Sequence, residues 1–180
     1  MATWVALLRG VNVGGHNSLP MKRLREILTE QGFEGAATYI QSGNCVFRSE
    51  GNDAEEIGYR IANAIQSEFG FRPEVFALPL AEFEQAIADN PFADHPVDPK
   101  YVHLFFLAKR AEAFDEAALR ALAAPGDDFV LTGKVFYLLT PAGIGRSKLV
   151  EKLEKLLPID MTGRNLRSVT KIAELGRSLS

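Results

Sequence analysis

Residues 37–48 read Ala-Thr-Tyr-Ile-Gln-Ser-Gly-Asn-Cys-Val-Phe-Arg, and this stretch decides the fold. Two runs of β-forming residues, 37–41 and 45–48, are separated by Ser42-Gly43-Asn44. Glycine and asparagine adopt positive φ angles at little cost, so a short turn of this composition between two such runs is typical of a β-hairpin. The sequence therefore predicts a pair of antiparallel strands in the first half of the chain.

Helices and further strands flank this hairpin on both sides. A continuous apolar run over residues 3–8 predicts a buried strand, and apolar residues at helical spacing predict helices that start near Ser18 and Asp53. Ser18 is the residue type that caps a helix, and residues 73–78 read as a fourth strand. Strand, helix, hairpin, helix, strand is the split βαβ arrangement of ferredoxin-like proteins.

The second half of the chain repeats this order of elements. A strand at 101–107 and a helix at 115–123 precede a hairpin around Thr132-Gly133-Lys134 and a helix at 147–157. No fourth strand is predicted there, and a last helix follows Asn165. We therefore predict an α+β fold of two ferredoxin-like βαββα(β) halves with mostly antiparallel sheets, plus a C-terminal helix. The predicted domains are 1–79 and 101–180, joined by a connecting helix and a proline-rich linker at 80–100.

Composition narrows the class of protein. The chain has 180 residues, of which 47% are hydrophobic, and a net charge of −3, so it is expected to be globular without a general attraction to nucleic acid or anionic membrane. Cys45 is the single cysteine, which excludes an internal disulfide and favours a reducing compartment. Neither a signal peptide nor an apolar run of membrane-spanning length is present, and we expect a cytoplasmic protein.

The loops that follow strands are the places where chemistry is expected. We expect the first and third strands of each half to lie side by side and parallel, so that the loops after them share one edge of the sheet. These loops are 9–17 and 49–53 in the first half, and 108–112 and 141–146 in the second. Helix N-termini at such an edge present unpaired N–H groups and a partial positive charge, which favour an anion.

Three polar turns combine glycine with arginine, and two of them also contain asparagine. Residues 141–148 have the composition of a phosphate-binding turn but not the order of a P-loop, and the alternative is a plain turn in which Ser147 caps a helix. For residues 9–17 there are two interpretations. The loop is either a ligand-binding loop or a connector in which Arg9 pairs with a carboxylate. In residues 162–165, Asn165 is expected to cap the last helix, and Arg164 to present its guanidinium to a carboxylate or phosphate.

No residue pattern indicates a catalytic mechanism. The three histidines, His16, His95 and His103, are scattered without the spacing of metal ligands, and Cys45 lies in an apolar strand where a buried, inert thiol is expected. No pair of carboxylates stands out as a general acid and base. We therefore assign no catalytic residue, no metal site and no cofactor.

Five segments resemble a bacterial family catalogued as domain of unknown function 1697: Leu-Leu-Arg-Gly-Val-Asn-Val-Gly-Gly at 7–15, Thr-Tyr-Ile-Gln-Ser-Gly-Asn at 38–44, Asn-Pro-Phe at 90–92, Gly-Arg-Ser-Lys-Leu at 145–149 and Thr-Gly-Arg-Asn at 162–165. The resemblance implies a duplicated ferredoxin-like arrangement and no established activity. Leu166 stands where the family pattern favours tryptophan. The motif residues implied as ligand-binding positions are Arg9, Asn12, Gly14, Ser42, Asn44, Arg146, Ser147, Lys148, Arg164 and Asn165.

The leading hypothesis is a binding site for a small anionic or phosphate-bearing ligand, formed by the turns 9–17, 143–148 and 162–165. An RNA-binding module is an alternative because ferredoxin-like sheets often bind RNA, although the negative net charge and the absence of an RNP-like run argue against it. An enzyme acting on a phosphorylated metabolite and a protein-interaction domain are further alternatives. The oligomeric state is left open.

Overall fold

The structure is a computed structural model that describes residues 1–180. Its internal contacts divide the chain into two compact units, of which the first comprises Met1–Gln85 and Thr170–Ser180 and the second Ala86–Val169. Each unit is built on a four-stranded antiparallel sheet, with helices packed on the sheet. The predicted α+β architecture of two related halves is therefore confirmed.

The first sheet has the strand order β2 (Glu34–Tyr39), β3 (Asn44–Ser49), β1 (Ala2–Arg9), β4 (Glu74–Pro79). Its strand β1 is apolar from Trp4 to Leu8 because this part lies inside the sheet. Trp4, Ala6 and Leu8 belong to the core that includes the apolar residues of the two helices, while Val5 and Leu7 point to the other face and are also fully buried. The elements are β1 (Ala2–Arg9), α1 (Met21–Glu30), β2 (Glu34–Tyr39), β3 (Asn44–Ser49), α2 (Ala54–Phe69), β4 (Glu74–Pro79) and α3 (Leu80–Ala88).

The two helices of the first unit begin differently. Asp53 caps α2 by accepting hydrogen bonds from the N–H groups of Glu55 and Glu56 at 2.9 and 3.2 Å. The expected cap of α1 by Ser18 is wrong, because Pro20 occupies the position before Met21 in an extended conformation and no side chain caps the helix. Ser18 therefore lies in the loop that leads to the helix.

The expectation that the first and third strands are parallel is wrong. β1 and β3 pair in antiparallel register, with Leu7 opposite Asn44 and Ala2 opposite Ser49. The cause is topological, since the helix between β1 and β2 makes those two strands parallel and the hairpin then reverses β3. The loop 9–17 consequently adjoins the hairpin turn 40–43, and the loop 49–53 lies at the opposite end of the sheet.

The second sheet has the strand order β6 (Asp128–Thr132), β7 (Val135–Leu139), β5 (Val102–Leu107), β8 (Met161–Asn165). Again every pair is antiparallel. By the same geometry, the loops 108–112 and 141–146 lie at opposite ends of this sheet and do not share an edge. The elements are β5 (Val102–Leu107), α4 (Glu116–Leu122), β6 (Asp128–Thr132), β7 (Val135–Leu139), α5 (Lys148–Leu156), β8 (Met161–Asn165) and α6 (Leu166–Leu179).

The second half does contain a fourth strand, contrary to the prediction. β8 pairs with β5 over its whole length, with Gly163 opposite Phe105. A Cβ atom at Gly163 would lie 2.7 Å from the Phe105 ring, so the position accepts only glycine without rearrangement. The residues 162–165 look like a turn in the sequence because this strand needs a glycine for close packing.

One backbone hydrogen bond recurs in both units and supports the duplication. The N–H of Leu8, near the end of β1, donates to the carbonyl of Gly43 in the hairpin turn, and the N–H of Leu107, at the end of β5, donates to the carbonyl of Lys134, each at 2.8 Å. In both units the first strand thus ends against the turn of the hairpin.

The last helix, α6, begins where the sequence indicates. Asn165 Oδ1 accepts a hydrogen bond of 2.8 Å from the N–H of Ser168, which confirms Asn165 as the cap. None of the helices, including the 16-residue α2, has both the length and the apolar character required to cross a bilayer.

Candidate functional site

The loop 9–17 folds into a small hairpin whose backbone groups bond to one another. The N–H of His16 donates to the carbonyl of Val13 at 2.9 Å, and the N–H of Asn12 donates to the carbonyl of Asn17 at 3.0 Å. Gly14 and Gly15 have φ angles of 57° and 75°, as a type I′ turn requires at both central positions. Gly14 is therefore a turn residue at the exposed tip.

Asn12 holds this hairpin to the rest of the first unit. Its side-chain Nδ2 donates to the carbonyls of Leu19 and Gln41 at 2.9 and 2.8 Å, and its Oδ1 accepts from the N–H of Leu19 at 2.7 Å. The amide is thus occupied by three backbone groups. Asn12 joins the loop to the hairpin turn, and these backbone bonds occupy its side-chain amide.

Ser42 and Asn44 shape the adjoining turn. Asn44 is buried, and its Nδ2 donates to the carbonyl of Tyr39 at 3.0 Å and to Ser42 Oγ at 2.9 Å. Between them, a Cβ atom at Gly43 would lie 2.7 Å from the Cβ of Leu8, so only glycine fits at this point. The Ser42-Gly43-Asn44 motif therefore forms a tight turn that packs against β1.

A neighbouring residue of this turn is strained. Ile40 has a φ angle of 49° and is 51% exposed. A β-branched residue in the left-handed region is a conformational outlier, and such strain is concentrated at functional sites. Sequence reasoning missed Ile40, because the run around it reads as a regular strand.

Arg9 and Arg164 are both engaged in their own units. Arg9 lies opposite Glu74 in the register of β1 and β4, and its Nη1 is 3.6 Å from Glu74 Oε1. Arg164 lies in β8 and is nine-tenths buried, and its Nη1 donates to Thr162 Oγ1 at 2.8 Å and to the carbonyl of Gly163 at 2.9 Å. Arg164 is therefore a strand residue, and a joint site with Arg9 and Arg146 stays a prediction.

Arg146, Ser147 and Lys148 lie together at the start of α5. Ser147 Oγ accepts a hydrogen bond of 3.2 Å from the N–H of Val150 and so caps the helix. Arg146 and Lys148 on either side of it are exposed, and neither forms a hydrogen bond or an ion pair. A Cβ atom at Gly143 or Gly145 would meet nothing within 4 Å, so both sides of the loop face open space.

The 141–147 loop and the end of β8 lie at the same end of the second sheet, because β7 and β8 both run antiparallel to β5 between them. They occupy different faces, however. Arg164 is opposite Leu104, whereas α5 packs through Leu149 and Leu153 on the face that carries Phe105. The structure thus keeps the side chain of Arg164 away from the start of α5.

Two buried polar groups lie near the same end of the sheet. Thr140, at the start of the 141–147 loop, has a fully buried hydroxyl without a hydrogen-bond partner, and the buried Nδ1 of His103 also lacks one. Burial lowers the pKa of His103 to about 4, so its ring is uncharged at neutral pH. Cys45 is buried as expected, and no group of three or more His, Cys, Asp or Glu residues is arranged to hold a metal ion.

A groove of about 480 Å³ between α1 and α2 contains none of the predicted site residues. Its carboxylates are already engaged, since Arg23 binds Glu68 at 2.6 Å and Glu30 at 2.8 Å and lowers the pKa of both. Its walls therefore carry no unpaired charge that points to a ligand. The groove is lined by Ile27, Glu30, Gln31, Asn63, Ala64, Ser67 and Glu68.

A solved structure shows the fold of this chain in another protein, and a family model identifies the family. The chain is similar to the conserved bacterial protein SP0830 from Streptococcus pneumoniae, with 23% identity and a TM-score of 0.72, over 97% of this chain and 98% of that one. Among curated proteins nothing matches. Residues 1–137 match the family described as protein of unknown function, DUF1697. The chain therefore belongs to the DUF1697 family.

Proposed function

We propose that this protein binds a small anionic ligand, such as a phosphate-bearing metabolite, at the start of α5. The observation that carries the proposal is the pair of exposed, unpartnered cations, Arg146 and Lys148, on either side of the capped N-terminus. The other charged or amide side chains among the predicted ligand residues are engaged in their own units. The anion would contact the two side-chain cations and the backbone N–H groups at the start of α5.

The backbone supplies further donors. Ser147 satisfies the N–H of Val150, but the first N–H groups of a helix, here those of Lys148 and Leu149, have no partner within the helix. These groups carry the partial positive charge of the helix end, which attracts an anion. The open space beside Gly143 and Gly145 gives a phosphate-sized group access to them.

The burial of the sheets favours this proposal over an RNA-binding function. RNA-binding ferredoxin-like domains stack bases on aromatic side chains exposed on the central strands. Here the large aromatic residues of the inner strands, such as Trp4, Phe47, Phe136 and Tyr137, are almost fully buried. A compact ligand at a loop is consistent with this burial.

The experiment is a thermal-shift titration with inorganic phosphate, checked by calorimetric titration. At a phosphate concentration ten times Kd, binding stabilises the native state by about 1.4 kcal/mol, which corresponds to roughly 3–6 °C in Tm. The double substitution Arg146→Ala, Lys148→Ala should abolish the shift. Lys155→Ala, which removes an exposed lysine from the far end of α5, should leave it unchanged.

Two results would overturn the proposal. The first is that phosphate and common phosphorylated metabolites fail to stabilise the wild-type protein at any concentration below the range of general salt effects. The second is that the double variant responds as strongly as wild type, which would place the bound anion elsewhere.

A further inference from the structure

A second basic surface lies at the opposite end of the sheet of the second unit. It consists of Lys109 and Arg110, in the loop after β5, and Lys134, in the turn between β6 and β7. All three are exposed, and none of their side chains forms a hydrogen bond or an ion pair. Unpaired arginines are rare in this protein, since Arg110 shares this property with Arg146 alone among the twelve arginines.

The backbone fixes the two loops of this surface together. The N–H of Leu107 donates to the carbonyl of Lys134 at 2.8 Å, and the N–H of Ala111 donates to the carbonyl of Gly133 at 3.4 Å. The guanidinium of Arg110 lies over the turn, because a Cβ atom at Gly133 would be 3.6 Å from Arg110 Nη1. Arg110 is thus positioned by the backbone turn beneath it without a carboxylate partner.

The first unit shows what the fold needs at this place. There, Val11 follows Leu8 by three residues, as Arg110 follows Leu107, and it lies over the turn glycine, with its Cγ2 2.9 Å from a Cβ atom at Gly43. Val11 is buried. An apolar residue therefore satisfies the packing, and the exposed arginine of the second unit is not required by the fold.

The other two cations also replace neutral residues of the first unit. Lys109 corresponds to Gly10, the residue before Val11. Lys134 corresponds to Gly43, because its carbonyl accepts from the N–H of Leu107 as the carbonyl of Gly43 accepts from the N–H of Leu8. Three positions that are neutral in the first unit are therefore cationic in the second unit, where they form one continuous surface. A packing role accounts for none of these charges.

We infer that Lys109, Arg110 and Lys134 form a binding surface for a compact, multiply charged phosphate compound such as an oligophosphate chain. Arginine and lysine donate charge-assisted hydrogen bonds to phosphoryl oxygens, and three cations match an anion with several charges. Glu112 and Asp160 flank the loop, with the carbonyl of Asp160 bonded to the N–H of Ala108 at 2.8 Å. These carboxylates limit the positive area and disfavour an extended nucleic-acid backbone.

The inference uses residues that the proposed phosphate site does not contain, so the two are tested independently. Calorimetric titration of the full chain with inorganic triphosphate, in low salt with a chelator present, should show a site distinct from the one at the start of α5, and the affinity of this site should fall as salt is raised. Arg110→Val, which installs the residue of the other half, should weaken this site about tenfold. The triple variant with Lys109→Gly and Lys134→Asn should abolish it.

The control is the double variant Arg146→Ala, Lys148→Ala, which removes the proposed site at α5. In this background, Arg110→Val should reduce the affinity of its own surface for triphosphate by the same factor as in the wild-type background. Because Arg110 is exposed, its substitution should leave the circular dichroism spectrum unchanged. Arg110→Gln is a second variant, which removes the charge and keeps a long polar side chain. Absence of triphosphate binding that depends on these residues, or equal affinity in wild type and both Arg110 variants, overturns the inference. Tighter binding of a single-stranded oligonucleotide than of triphosphate at this surface also overturns it.

Discussion

Replacing His103 with phenylalanine should remove a defined part of the acid sensitivity of this protein. His103 lies in β5 between Leu138 and Asn165 of the neighbouring strands, and its ring is 6.3 Å from that of Phe105. Burial lowers the pKa of this imidazole from 6.5 to about 4. Phenylalanine keeps a planar ring in the strand and removes the titrating group.

The sign of the effect follows from the direction of the shift. The unfolded chain binds a proton at His103 below about pH 6.5, whereas the folded chain resists that proton until about pH 4. The contribution to stability is therefore complete above pH 6.5 and is lost progressively as the pH falls toward 4. Between pH 7 and pH 5 the loss from this one group amounts to about 2 kcal/mol.

The assay is urea unfolding at a series of pH values between 7 and 5, comparing the change in unfolding free energy within each variant. His103→Phe should reduce that change by about 2 kcal/mol relative to wild type. His16→Gln is the matched control, because it removes an exposed imidazole, and it should keep the wild-type dependence. If His103→Phe retains the full wild-type slope, the burial of a neutral imidazole is not what makes the native state sensitive to acid.

Three further stability predictions follow from single positions, each measured by urea unfolding at pH 7. Gly163→Val should destabilise the protein by about 1–3 kcal/mol, because its Cβ atom would lie 2.7 Å from the Phe105 ring; a neutral effect would contradict the tight packing of β8. Thr140→Val should stabilise it by about 1 kcal/mol, because it removes a buried hydroxyl without a partner. Thr162→Val should destabilise it, because it removes the hydroxyl that accepts a hydrogen bond from Arg164. Changes in unfolding free energy of the same sign for both variants would refute this contrast. Ile40→Asn should stabilise by roughly 1 kcal/mol, since asparagine tolerates a positive φ angle, and destabilisation would show that the Ile40 side chain supports the fold.

The order of elements could be predicted from the sequence because hydrophobic spacing and caps are local signals. The hairpin turn at Gly43 and the cap at Asn165 were both recognisable, and the structure has them where expected. The strand β8 could not be predicted, since Gly163 reads as a turn residue and its reason, the ring of Phe105, lies 58 positions earlier in the chain. The antiparallel pairing of β1 and β3 follows from the topology, and the parallel pairing expected from the sequence is wrong.

The candidate site was harder to predict for a related reason. Residue type identifies Asn12 and Asn44 as polar, but their partners are backbone groups of other turns, which only the fold brings near. Arg146 and Arg110 differ from the other arginines by lacking a partner, and that property is invisible in sequence. A comparison of the two halves at the end of their first strands, Val11 against Arg110, is the signal that could have identified the second basic surface.

The most direct test of the central claim is a titration of inorganic phosphate into ¹⁵N-labelled protein, followed by amide chemical shifts. Saturable shifts are expected at the N–H groups of Lys148 and Leu149, the unpaired donors at the start of α5. These shifts should disappear in the double variant Arg146→Ala, Lys148→Ala. Saturable shifts confined to other regions of the chain, or no saturable shifts at all, would contradict the claim.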